Sequence, residues 1–92
     1  MQYVIKQYTF DQANKHGYIV KLSSNRKKKL DVYKGNLKIA SIGDREYKDY
    51  PTYIQENGID YAKTRRALYH NRHKKDIEIK GSNGWLSSVL LW

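Results

Sequence analysis

Ninety-two residues and 10.9 kDa provide for one small domain with a modest core. Aromatic residues at 13% of the chain are too plentiful for a disordered tail, and eighteen Lys plus Arg against nine Asp plus Glu leave a net charge of +9 that points to anionic partners. The absence of cysteine excludes disulfides, zinc–thiolate sites and a cysteine nucleophile.

The first half reads mainly as short strands. Tyr3 to Phe10 mixes β-branched and aromatic residues in alternation, although neither face is plainly the apolar one. Tyr18 to Leu22 alternates more clearly, with Tyr18, Val20 and Leu22 on one side. After the basic turn Ser24-Asn25-Arg26-Lys27, a strand is expected at Leu30 to Tyr33. Gly35-Asn36 suits a two-residue hairpin because both residues tolerate positive φ, and Leu37 to Ile42 is the returning strand.

From Gly43 to Pro51 the chain is polar, charged and aromatic together, as in an irregular segment held down by tyrosines. Thr52 and Gln55 have capping-box spacing, which predicts a short helix over Tyr53 to Asn57 ended by Gly58. Asp60 is placed to cap a second helix over Tyr61 to Lys74, free of proline and glycine, with Leu68 and Tyr61 turned to the sheet. Asp76 to Lys80 reads as a short strand, Gly81 to Gly84 as a turn, and Trp85 to Trp92 as an apolar ending. The fold class expected is α+β: a single domain, 1–92, with a small antiparallel sheet packed against a basic C-terminal-half helix.

Two elements concentrate positive charge. Arg26, Lys27, Lys28 and Lys29 sit at the expected hairpin turn, where they suit phosphate contacts that do not read bases or, equally, a solvated turn that protects a sheet edge. Along the second helix, Lys63, Arg66, Arg72, Lys74 and Lys75 form the other basic surface, while Arg65, Tyr69 and His73 share a stripe at four-residue spacing. Two roles are open for that stripe: arginine–phosphate and tyrosine–base contacts, or hydrogen bonds from Tyr69, Arg72 and His73 to the segment Asp44 to Asp49 that fasten the helix down. Asp49, Tyr50, Arg65, Leu68, Tyr69, His73, Trp85 and Trp92 are therefore assigned structural roles.

No phosphate-binding glycine loop, HExxH helix or nucleophile elbow is present, so no catalytic residue, metal site or cofactor is assigned and an enzyme is not expected. The start MQYVIKQYTF lacks the pattern of a signal peptide and no apolar run reaches eighteen residues, so no membrane partner is expected and an intracellular location fits best.

One ordered set of residues resembles a known family. Ile42-Gly43-Asp44-Arg45-Glu46-Tyr47-Lys48-Asp49-Tyr50, then Arg65-Arg66, Tyr69 and Asn71-Arg72-His73-Lys74, then Gly84-Trp85-Leu86-Ser87-Ser88-Val89-Leu90-Leu91-Trp92, is similar to a small basic, uncharacterised protein family of large DNA viruses and some phages. The resemblance spans about 30–92. It departs at Ile77, where the family has a tryptophan soon after the basic helix, and at Pro51, which replaces a threonine. It implies a viral protein acting in a host cell compartment or in the virion, without a known reaction.

Within that setting, +9 fits a nucleic-acid-binding or DNA-packaging accessory protein that uses electrostatic phosphate contacts. The alternatives are a minor virion structural protein whose cations meet acidic protein surfaces, and an inhibitor of a host nucleic-acid enzyme. Viral structural proteins are compatible partners, and the aromatic ending offers a surface for a homo-oligomer or for completing the monomer's own core.

Overall fold

The computed structural model describes residues 3–92. Its elements are α1 (Gln7–His16), β1 (Ile19–Leu22), β2 (Lys28–Lys34), β3 (Leu37–Asp44), α2 (Tyr50–Asn57), α3 (Ile59–Arg72), α4 (Lys74–Ile77) and α5 (Asn83–Leu90). The fold is α+β, with an antiparallel sheet in the order β1-β2-β3 and helices mainly in the C-terminal half. The chain gathers into two compact units, Met1–Tyr47 and Lys48–Trp92.

The first unit opens with a helix where a strand was expected over Tyr3 to Phe10. The alternation there has no apolar side, whereas Thr9 and Ala13, four apart, are both buried and give α1 a helical inner face. Gln7 donates to Asp11 across one turn, and Gly17 ends the helix at φ 79°, a left-handed conformation that glycine adopts without strain.

The three strands form where the alternation placed them, and the Gly35-Asn36 hairpin joins β2 to β3. A bulge follows that turn. Tyr33 pairs with Lys38, but Val32 pairs with Ala40, so Ile39 is the extra residue. Regular pairing would have set Ala40 opposite Asp31; the bulge instead brings Ser41 there and aligns Ile42 with Leu30. One face of the sheet thus gathers Val20, Leu30, Val32 and Ile42, all buried, and forms the core of this unit with Ala13.

In the second unit, α2 begins three residues before the expected start. Asp49, fully buried, accepts a hydrogen bond from the Thr52 amide, and Pro51 lies in the first turn where its missing N–H costs nothing, so Asp49 is the cap in place of Thr52. Gly58 closes α2, its N–H donating to the Ile54 carbonyl, and α3 follows at once with Asp60 in its first turn rather than at its cap.

Three further expectations are corrected here. Leu68 is 51% exposed and Tyr61 47%, while Ala62 is the fully buried side chain of α3. Residues 76–80 form no strand: Lys74–Ile77 is a helical turn, and Ser82 caps α5 by accepting from the Trp85 amide. Gly84 has to be glycine for close packing, since a Cβ there would lie 2.5 Å from the Asp76 carbonyl oxygen. The ending folds inward, with Leu86, Leu90 and Leu91 buried and the Leu91 carbonyl accepting from the Tyr50 amide.

Candidate nucleic-acid interface

In the first unit the turn of residues 24–27 projects Arg26 and Lys27 into solvent, as the basic run predicted. Lys28 and Lys29 belong to β2 instead. Lys28 is half-buried, and Lys29 is 3% exposed with its ammonium 5.1 Å from the centroid of the Tyr3 ring. Lys29 is therefore removed from the phosphate-contacting set: a desolvated ammonium on a ring face is a packing group.

Arg45, at the end of β3, donates to the carbonyls of Lys28 and Ser23 and ties the base of the turn. Beside it lies a buried acid, Asp31. Burial by itself would raise its pKa, but hydrogen bonds from the Ser41 and Ser23 hydroxyls, both 2.7 Å, from the Ser24 amide, and the Lys38 ammonium at 3.4 Å hold it down at about 2. The carboxylate is ionised at neutral pH and its charge is answered locally.

In the second unit, Lys63, Arg72, Lys74 and Lys75 are exposed, and among the described residues none of them has an ion-pair partner. Arg66 is different: its guanidinium lies 4.2 Å from the centroid of the buried Tyr50 ring, so it is partly committed to packing. Arg65 stacks on Tyr53 at 5.4 Å, and its Nε is buried without a hydrogen-bond partner.

Tyr69 and His73 come together as the helical stripe predicted, but their partners are not Asp44 to Asp49. The Tyr69 ring stacks on Trp92 at 4.4 Å and 7°, and His73 lies against it at 4.4 Å with the two rings tilted by 32°. Its hydroxyl pKa is raised by burial, partly offset by a hydrogen bond with Ser87. His73 Nδ1 lies 3.2 Å from Asp76 Oδ2. Tyr53 extends the cluster toward Tyr61 and Trp92, and Trp85 is half-buried on α5. These rings pack α2, α3 and the ending against one another, in place of the hydrogen bonds to Asp44 to Asp49 expected of Tyr69 and His73. His70 stays neutral more readily than an ordinary histidine, because burial and the nearby Arg66 lower its pKa.

Sequence reasoning missed Lys21, Tyr33 and Lys38 as surface groups and Asp31 as a buried one. The hairpin at Gly35-Asn36 does place Tyr33 opposite Lys38, but the Asp31–Ser41 pairing depends on the bulge, which no residue type in Leu37 to Ile42 announces. Among the described residues no cluster of three acids or histidines is placed to hold a metal ion, and no helix is long and apolar enough to cross a membrane. Family models, curated proteins and solved structures gave no match to the chain.

Proposed function

We propose that this protein is a nucleic-acid-binding accessory protein that holds the phosphate backbone through exposed cations. The observation carrying this reading is the contrast in α3 and α4: Lys63, Arg72, Lys74 and Lys75 face solvent with no acid partner among the described residues, while the neighbouring rings of Tyr69, Tyr53 and Trp92 are engaged with one another. Unpaired surface lysines contact phosphate and release its counterions; they do not read bases. The polyanion proposed is a viral genome, as the resemblance read from the sequence of 30–92 implies.

Titration of the folded chain with duplex DNA, single-stranded DNA and heparin at increasing salt tests this. The expected result is binding to nucleic acid near physiological salt that weakens linearly on a log–log plot as salt rises. Absence of binding to either form of DNA under those conditions refutes the reading.

A further inference from the structure

The face of the sheet turned away from the aliphatic core has its own pattern. Cross-strand pairing lines up Ile19, Tyr33 and Lys38 in one row and Lys21, Asp31 and Ser41 in the next. Ile19 is 52% exposed, Lys21 is exposed, and the Lys38 side chain is 45% exposed. Asp31, the acid of these two rows, is 4% exposed and bound by two hydroxyls and Lys38, so it presents almost no charge to a ligand. Lys21 and Lys38 lie on the two outer strands, Arg26 and Lys27 at one end of β2, and Lys34 at the other.

We propose that this sheet face is a duplex-DNA-binding surface laid across the major groove, a placement that rests on the phosphate-binding reading above and specifies the form of nucleic acid. Strands are spaced about 4.8 Å apart, so the outer two stand roughly 10 Å apart, close to the major-groove width of about 12 Å. In the free protein both ammonium groups lie over β2, Lys21 on the Tyr33 ring and Lys38 beside Asp31, and on binding each swings outward to one rim of phosphates. Tyr33 and Ile19 face the groove between them, the tyrosine offering a hydroxyl and the isoleucine an apolar contact of the kind a thymine methyl accepts. Arg26 and Lys27, in the turn that precedes β2, extend the cationic track along the backbone beyond the Lys21 row.

The same face suits a single strand poorly. Single-strand surfaces present free ring faces for stacking, whereas the one ring in these rows, Tyr33, carries the Lys21 ammonium 5.1 Å from its centroid.

Amide chemical-shift mapping of the full chain with a 12-base-pair duplex, a 12-nucleotide single strand and heparin tests the proposal, with Lys21→Gln/Lys38→Gln and Lys74→Gln/Lys75→Gln as paired variants. The expected result is duplex-induced shifts centred on Ile19, Lys21, Tyr33 and Lys38, and a roughly tenfold loss of duplex affinity in the sheet variant that exceeds its loss for heparin. An unchanged thermal midpoint shows that the variant is folded; if Lys38→Gln unsettles Asp31, Lys21→Gln alone is read for the same preference. Duplex shifts confined to α3 and α4 overturn this placement while leaving the phosphate-binding reading intact. Equal shifts and equal losses with heparin overturn it too, because heparin has no groove. No shifts with either DNA overturn both.

Discussion

The two compact units differ in net charge and in which charged groups they bury. Residues 1–47 carry ten Lys and Arg against four acids, a net +6, whereas residues 48–92 carry eight against five, a net +3. In the first unit one acid, Asp31, is buried and neutralised by its neighbours while Lys21, Arg26, Lys27 and Lys34 remain exposed. In the second, Arg65 and Arg66 lie on tyrosine rings, and the aromatic residues hold the helices and the ending together. The half with the more distinctive motifs is thus the half that spends them on its own packing. Distinctive residues and available residues are different sets.

The sharpest test of that division compares two leucines. Leu90 is fully buried, so Leu90→Ala removes apolar contacts and leaves a cavity at a cost of roughly 2–5 kcal/mol. Leu68→Ala, at a half-exposed site on α3, is expected to change stability by about 0.5 kcal/mol or less. Chemical denaturation followed by tryptophan fluorescence reports directly on this unit, since Trp85 and Trp92 both lie in it. A larger loss at Leu68 than at Leu90 contradicts the assignment of the core.

Gly84→Ala probes the contact between α4 and α5. The added methyl must displace the Asp76 backbone, which is not a flexible side-chain end, and about 1–3 kcal/mol is the expected loss. Thermal unfolding measures it, with Gly35→Ala as a contrast: no atom lies within 4 Å of a Cβ there, and the cost comes from the positive φ of 62° alone. Loss of stability in G35A with none in G84A would show that α4 and α5 do not approach this closely.

Acid affects the first unit through Asp31. Its folded pKa of about 2 lies below the ordinary value of 3.8, so its contribution is fully present above that value and is lost as pH falls through about 2. The shift corresponds to roughly 2 kcal/mol. Hydrogen exchange should show amides of β2 and β3 losing protection between about pH 4 and pH 2 in the parent chain, with a flatter profile in Asp31→Asn. Identical profiles in the two chains would remove Asp31 from the stabilising network.

Much of this architecture was legible from local chemistry. The hairpin at Gly35-Asn36, the alternation of β1 and β2, the end of α2 at Gly58 and the Arg65, Tyr69 and His73 stripe all depend on residue types within a few positions of one another. What was not legible depends on partners distant in sequence. Leu68 looks like a core residue until α3 buries Ala62 instead, whereas the Asp49 cap, two residues before Pro51, is a local signal that the Thr52–Gln55 spacing obscured. The row in which Ser41 meets Asp31 requires the bulge at Ile39, a register choice made by burial of Ile42 rather than by the sequence of the turn.

The smallest expected effect separates two neighbours in one basic run. Lys27 is exposed in the turn, and Lys27→Gln should leave the unfolding midpoint unchanged while lowering the salt slope of DNA binding by about 0.9, the contribution of one phosphate contact. Lys29 is buried with its ammonium over Tyr3, and its alkyl stem lies within the folded unit. Lys29→Gln should therefore leave the salt slope as it is and cost on the order of 1 kcal/mol of stability through the lost cation–ring contact. Measuring both variants by salt titration and thermal unfolding gives a two-by-two comparison in which only the crossed pattern agrees with the structure. If both substitutions reduce the slope equally, Lys29 reaches the ligand and the inward course of its side chain is wrong.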